Sequence, residues 1–267
     1  MPNKLDLTPS LEKIARAESK IKRVDAIISE WLEAGVSYDV RREVHGHRAH
    51  VIARVNQPLP QDIAWEVVEA VGHIRSALDK LMVALVDMNG RGVSGVGFPF
   101  GGVRLDGTPE PFPTDRHEGL RKKLLPAQWD ILLAQKPYPG GNNLLWALNE
   151  ITNEDKHRKG LVRVSAFPQV RSTRISNAVF VGGNQGPALA VGGDPDFICP
   201  DQEKDTLWLS YSFGPGSVHP QLDHTASLSV VFAKIRPVTG ADVRKTVSKQ
   251  INLVKSIFEL FMKAKLT

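Results

Sequence analysis

The chain has 267 residues, of which 42% are hydrophobic and 24% charged, so it contains enough apolar material for the core of a globular protein. Its single cysteine, Cys199, excludes an internal disulfide and favours a reducing compartment. The formal net charge of +5 permits an anionic partner without requiring one, because basic and acidic residues are largely interspersed.

Nothing in the sequence predicts contact with a membrane. No run approaches the roughly 18 apolar residues of a transmembrane helix. The first residues lack the apolar stretch of a signal peptide. We therefore expect a soluble, cytoplasmic protein.

Apolar residues recur at spacings of three and four in four long segments, which predicts four main helices. They cover residues 9–34, 61–89 and 142–158 and the C-terminal segment after Pro237. The most regular stripe, in the second helix, consists of Ile63, Val67, Val71, Ile74, Leu78, Leu81 and Leu85. Two short helices are expected at Glu118–Leu125 and Pro126–Gln135.

Alternating apolar residues between turn residues predict strands in two parts of the chain. Residues 36–56 are predicted as a β-hairpin. Further strands, in a largely antiparallel meander, are predicted at Leu161–Val170, Ala178–Gly182, Leu189–Val191, Thr206–Phe213 and Ala226–Arg236. The predicted fold is α+β in a single domain, 1–267, with a helical part over about 1–158 and a sheet plus closing helix over about 160–267.

A charged pair interrupts the apolar pattern of the second helix. Arg75 and Asp79 stand four residues apart, which by itself predicts an ion pair on a helix flank. The apolar stripe of helix 142–158 continues into Asp155, and a carboxylate on a core face needs a partner. We predict that Arg75 is this partner, because its planar guanidinium can bind a carboxylate in a bidentate manner.

Further polar residues could complete a pocket between these two helices. His73 and Ser76 are predicted on a strip of the second helix that neighbours the strip of Arg75, and Asn149 and Asn153 flank the apolar stripe of helix 142–158. His157, one turn beyond Asn153, can exchange protons near neutral pH. The predicted catalytic residues are His157, Asp155 and Asp79, and the predicted ligand-binding residues are Arg75, His73, Asn149 and Asn153. A buried network that only fixes how the helices pack is an equally supported interpretation.

Three other motifs do not predict a site. Segment 45–50 contains three histidines at alternate or near-alternate positions, but Gly46 lies in the predicted turn and no carboxylate is spaced to complete a metal site. Residues 90–95 match GxGxxG in letters, yet a helix precedes them where a dinucleotide site needs a strand. Cys199 is predicted to be a small structural residue. The sequence thus predicts no cofactor and no metal ion.

Several segments, in order from about residue 72 to 158, resemble a widespread group of uncharacterised bacterial proteins. Residues 72–79, GHIRSALD, resemble the group's HxLRSALDH helix, and Phe98-Pro99-Phe100 resembles its FPI element. Lys136-Pro137-Tyr138 resembles its QPY element, and residues 145–158 resemble its LWxLxxxxNxDKHR segment. The resemblance implies a bacterial protein but no particular reaction, because the group has no established activity.

The same helix has a weaker likeness to the HEPN superfamily, helical proteins that include ribonucleases with an Arg-x4-6-His motif. Arg75 matches the arginine of that motif. Lys80 stands where RSALDH has its histidine, so the likeness does not imply ribonuclease activity by that route. It does make RNA one of the anionic partners to consider.

These residues together predict binding of an anionic small molecule or a phosphodiester in a polar pocket between two helices. If the protein is an enzyme, phosphodiester hydrolysis is the expected reaction, with Arg75 binding the anion and His157 donating or accepting a proton. The alternative is a non-catalytic structural or interaction protein, which could act as a homodimer. A pocket needs open, convergent polar groups, whereas a packing network needs buried, mutually bonded ones.

Overall fold

A computed structural model describes residues 5–42, 48–104, 107–110, 112–155, 162–167, 206–212, 227–233 and 235–264. Helices form the larger part of these ranges, and none of them is long and apolar enough to cross a membrane. They are α1 (Thr8–Gly35), α2 (Asp62–Met88), α3 (Glu118–Arg121), α4 (Pro126–Ala134), α5 (Asn143–Asp155) and α6 (Val243–Ala264), with a 3₁₀ turn at Asp115–His117. The predicted long and short helices are confirmed at these positions.

The described strands form two sheets. They are β1 (Val36–Arg42), β2 (Arg48–Val55), β3 (Val162–Phe167), β4 (Thr206–Ser212) and β5 (Ser227–Phe232). In the first sheet β2 lies between β1 and β4 and is antiparallel to both. The second sheet pairs β3 with β5.

The expected meander over 160–236 differs from these pairings. Strand β4 pairs with the hairpin strand β2, and not with another strand of the predicted meander. An open strand edge can accept any strand of suitable length, so a local sequence pattern does not identify the partner. The strands predicted at Ala178–Gly182 and Leu189–Val191 lie outside the described residues.

Contacts within the chain divide it into two compact units. Unit 1 comprises Met1–Ile27, Gln61–Val162 and Val231–Thr267, and unit 2 comprises Ile28–Pro60 and Arg163–Val230. Helix α6, predicted together with the later strands, belongs to unit 1 with the other helices. The single-domain expectation stays a prediction.

Helix α2 is the central helix of unit 1. It packs against α5 and α6, which also pack against each other. Every residue of its predicted apolar stripe is buried. The α6 residues buried in the same core are Val243, Val247, Ile251, Val254, Phe258 and Phe261. Removing these two stripes from water is the main stabilising contribution to unit 1.

Charged side chains join the first part of α1 to α6. Arg244 Nη1 donates to Asp25 Oδ1 over 2.7 Å, and Lys255 Nζ donates to Glu18 Oε1 over 2.6 Å. Residue numbers rise along α6 as they fall along α1, so the two helices are antiparallel. Exposed ion pairs of this kind contribute roughly 0–1 kcal/mol each, so they fix the register more than the stability.

Gly101 lies directly against Tyr138 in the segment that links α2 to α5. Its N–H donates to the carbonyl of Pro137 over 2.8 Å. A Cβ on Gly101 would lie 2.3 Å from Tyr138 Cβ and 3.2 Å from Tyr138 Cα. The Tyr138 ring stacks on Phe112 with centroids 5.4 Å apart. This close approach anchors the loop immediately after Phe100.

We predict that Gly101→Ala lowers the free energy of unfolding by about 1–3 kcal/mol, because the added methyl group overlaps Tyr138. Gly119→Ala in α3 is the matched control, since a Cβ there has no neighbour within 4 Å. Alanine also favours a helix more than glycine does, so the control should be neutral or slightly stabilising. Urea unfolding of both variants measures the difference, and equal midpoints would contradict the close approach.

Candidate functional site

Arg75 of α2 and Asn149 of α5 meet where these two helices pack. Arg75 Nη1 donates a hydrogen bond to Asn149 Oδ1 over 2.5 Å. Both residues are partly exposed, whereas their neighbours Ile74 and Leu148 are fully buried. The apolar stripes therefore bring the helices together and leave this polar pair at the border of the core.

The ring of Phe100 lies beside the Arg75 guanidinium. Arg75 Cζ is 4.3 Å from the centroid of that ring, which is the geometry of a cation–π contact. Phe98 supports Phe100, with ring centroids 5.0 Å apart and planes tilted by 57°. Both phenylalanines are buried, and the loop that carries them, residues 97–100, is here called the phenylalanine loop. One face of the guanidinium packs against the Phe100 ring.

Asp79 holds the same loop. Its Oδ1 accepts a hydrogen bond from the Phe98 backbone N–H over 2.8 Å. A Cβ on Gly97 would lie 3.1 Å from that oxygen, so the loop passes very close to the carboxylate. The spacing of Arg75 and Asp79 predicts an ion pair between them. This pair is not among the ion pairs of the described residues. Asp79 positions the phenylalanine loop, and its predicted catalytic role stays a prediction.

The Arg75 guanidinium carries a partly desolvated charge. Burial lowers the pKa of Arg75 below its usual value, and the negative charge of Asp79 opposes this by raising it. Its Nε is buried and has no hydrogen-bond partner among the described residues. The described groups in direct contact with the guanidinium, the Asn149 amide and the Phe100 ring, are neutral.

The remaining α5 residues of the predicted site are only partly described. Asn153 is exposed and lies one turn after Asn149. Asp155 is the last residue of α5, and His157 lies outside the described residues. The predicted Arg75–Asp155 ion pair and the acid–base role of His157 therefore stay predictions.

His73 lies on a different side of α2 from Arg75. Two residues correspond to a rotation of about 200° around a helix, so their side chains leave α2 in nearly opposite directions. Burial lowers the pKa of His73, and the positive charges of Lys13 and Arg16 on α1 lower it further, whereas Glu69 raises it. The structure thus places His73 beside α1 and not in the group around Arg75.

Sequence reasoning did not assign a site role to Phe98 or Phe100. It identified the Phe-Pro-Phe tripeptide only as part of a resemblance, because an aromatic loop residue has no periodicity that reveals its neighbour. One signal points to these phenylalanines. Asp79 is the next charged residue after Arg75 on α2, and its carboxylate can accept a loop N–H. We call Arg75, Asp79, Phe98, Phe100 and Asn149 the Arg75 cluster.

No group of three or more His, Cys, Asp and Glu side chains in the described part of the chain is arranged to hold a metal ion. Two of the three histidines of segment 45–50 lie outside that part. The Arg75 cluster offers a guanidinium, an amide and an aromatic face. This chemistry suits an anionic organic group better than a cation.

Comparisons with protein-family models, with curated proteins and with solved structures found no match. The resemblance to the bacterial group and the weaker likeness to HEPN proteins stay predictions that rest on the residues quoted above.

We predict that Asn149→Ala lowers the free energy of unfolding by about 1.5–3 kcal/mol. The substitution removes a charge-assisted hydrogen bond and leaves Nη1 of the partly desolvated Arg75 guanidinium without its acceptor. Asn153→Ala is the matched control on the same helix, because Asn153 is exposed and surface substitutions usually change stability by less than about 0.5 kcal/mol. Calorimetric melting of both variants checks this. Identical melting temperatures would show that the Arg75–Asn149 bond adds nothing to stability.

Proposed function

We propose that the Arg75 cluster binds the anionic group of a small molecule or a phosphodiester. The observation that carries the proposal is the buried Nε of Arg75, which has no hydrogen-bond partner among the described residues. A desolvated cation is costly unless an anion compensates it. An oxyanion at the guanidinium would supply the missing negative charge, and after a small shift of the side chains that cover Nε it would also accept the missing hydrogen bond.

The neighbours of Arg75 favour such binding because they orient the guanidinium in advance. Asn149 holds Nη1, Phe100 covers one face, and Asp79 holds the phenylalanine loop through Phe98. A binding group that is already fixed loses little conformational entropy when the ligand arrives. A planar guanidinium also matches the paired oxygens of a phosphate or carboxylate.

The proposal extends to catalysis only through Asp155 and His157. Asp155 is the last residue of α5 and His157 comes two residues later in the sequence, where a histidine could move a proton during hydrolysis of a phosphodiester. Asp79 is a weaker candidate for this work, because its Oδ1 already accepts the Phe98 N–H. In this proposal the protein acts in the cytoplasm, in keeping with its single cysteine.

A second candidate function is a non-catalytic one, in which the Arg75 cluster locks unit 1 together. The Arg75–Asn149 bond joins α2 to α5, and the Asp79–Phe98 bond joins α2 to the following loop. These bonds favour a structural role, and the protein would then act through its surface or as a homodimer. The unpartnered Nε is the feature that this alternative does not use.

We predict that phosphate-bearing ligands stabilise the wild type and not Arg75→Met, which keeps much of the apolar stem but loses the guanidinium. The probes are inorganic phosphate, adenosine monophosphate and a dinucleotide with one phosphodiester. Thermal melting is the measurement, and a probe present at 100 times its dissociation constant should add about 2.7 kcal/mol of stability.

The control is Arg91→Met, which removes the same charge at an exposed position after α2 and should respond to the probes as the wild type does. If Arg75→Met melts several degrees lower and no probe shifts the wild type, the Arg75 cluster is a structural lock. Turnover of a chromogenic phosphodiester that His157→Ala abolishes would add catalysis to the binding function.

A further inference from the structure

Ion pairs connect basic residues of α1 to carboxylates of α2 where the two helices meet. Lys20 Nζ lies 2.9 Å from Glu66 Oε2, and Arg23 Nε lies 3.1 Å from Glu66 Oε1. Lys20 also pairs with Glu69. Lys20 reaches Glu69, whereas Arg23, further along α1, pairs with the earlier residue Glu66. The two helices are therefore antiparallel where they meet.

The same register places basic residues against α2 positions that carry no carboxylate. Going towards the start of α1, the cations at spacings of three and four continue with Arg16 and Lys13. Going towards the end of α2, the positions after Glu69 on the same face are His73 and Ser76. Glu66 and Glu69 neutralise the basic residues at one end of this contact. At the other end, where Arg16 and Lys13 lie, the positions on this face of α2 are His73 and Ser76, which carry no carboxylate.

The electrostatics of His73 agree with this register. Apart from burial, the charges that affect it are Lys13, Arg16 and Lys20 on α1, which lower its pKa, and Glu69 on α2, which raises it. Lys13 and His73 are partly exposed, and Arg16 is exposed. Lys80, also exposed, continues the same face of α2 two turns beyond His73.

We propose that Lys13, Arg16, His73 and Lys80, here called the basic strip, bind the phosphodiester backbone of a nucleic-acid strand. The seven residue steps from His73 to Lys80 span about 10 Å along α2, so the strip suits a linear anion better than a single point charge. Ser76 adds a hydroxyl donor between them, and phosphate oxygens accept bonds from several donors at once. An acidic peptide is the competing occupant, and the test below distinguishes it from a nucleic-acid strand.

This proposal does not depend on the Arg75 cluster, because Arg75 leaves α2 on the nearly opposite side from His73. It predicts that binding is coupled to proton uptake. A phosphodiester stays ionised between about pH 6 and pH 8, whereas a bound anion favours the charged imidazole. Burial and nearby cations lower the pKa of His73 in the free protein, and a bound phosphodiester would raise it, so binding should tighten as the pH falls through the range in which the bound imidazole gains its proton.

The test measures binding of a fluorescent oligothymidylate of 15 nucleotides by anisotropy, at several salt concentrations. The logarithm of the association constant falls linearly with the logarithm of the salt concentration, and each lost phosphate contact should make this slope less negative by about 0.7. The double variant Lys13→Gln/Arg16→Gln should therefore have a slope less negative by about 1.4. The control Arg121→Gln/Lys122→Gln removes two exposed charges from the region of α3 and should keep the wild-type slope. His73→Gln should abolish the pH dependence of binding.

Unchanged melting temperatures establish that each variant is folded. The proposal is overturned if the basic-strip variant and the control variant have the same salt slope and affinity. It is also overturned if polyglutamate of equal charge competes as strongly as unlabelled oligothymidylate, because the strip would then bind acidic chains in general. A pH dependence that survives in His73→Gln would remove His73 from the contact surface.

Discussion

The burial of α2 is the constraint on which the rest of unit 1 depends. This helix packs against α5 and α6, and its apolar stripe is buried along its full length. Because packing fixes the rotation of α2, it also fixes the direction in which every polar residue on that helix points. Arg75 is directed to α5 and the phenylalanine loop, whereas His73 is directed to α1. The two proposed sites are therefore consequences of one packing arrangement.

Arg75 is a cation that this arrangement partly removes from water. A hydrophobic residue of similar size at this border position would avoid the desolvation that lowers the pKa of Arg75. The surrounding groups reduce this unfavourable effect only in part, through one amide, one aromatic ring and the more distant charge of Asp79. In our proposal, this incompletely compensated cation, held in a fixed orientation, receives an anion.

Much of the helical part could be predicted from the sequence, because apolar spacing reports directly which face of a helix is buried. The stripe of α2 is the clearest case, since all seven predicted residues are buried. Sheet pairing could not be predicted in the same way. The partnership of β2 with β4 joins residues more than 150 positions apart, and neither strand carries a local signal for the other.

The site was predictable only where two residues lie on neighbouring helices. Arg75 and Asn149 were both identified as ligand-binding residues, and the structure brings them into contact. The prediction that His73 lies on a strip next to Arg75 is wrong, because a step of two residues turns the side chain by about 200° and directs His73 to α1. The contributions of Phe98 and Phe100 depend on how a loop folds back on α2, which composition and periodicity do not encode.

The most direct test of the central claim observes the Nε–H of Arg75 itself. We would titrate inorganic phosphate and a dinucleotide monophosphate into arginine-labelled protein and follow the side-chain Nε–H resonances by NMR. The account predicts a saturable shift of the Arg75 resonance, since its buried Nε gains an acceptor, while the exposed Arg91 shows at most a small, non-saturating change. An Arg75 resonance that does not move, or that moves only in proportion to the surface arginines, would contradict the claim that this cluster binds anions.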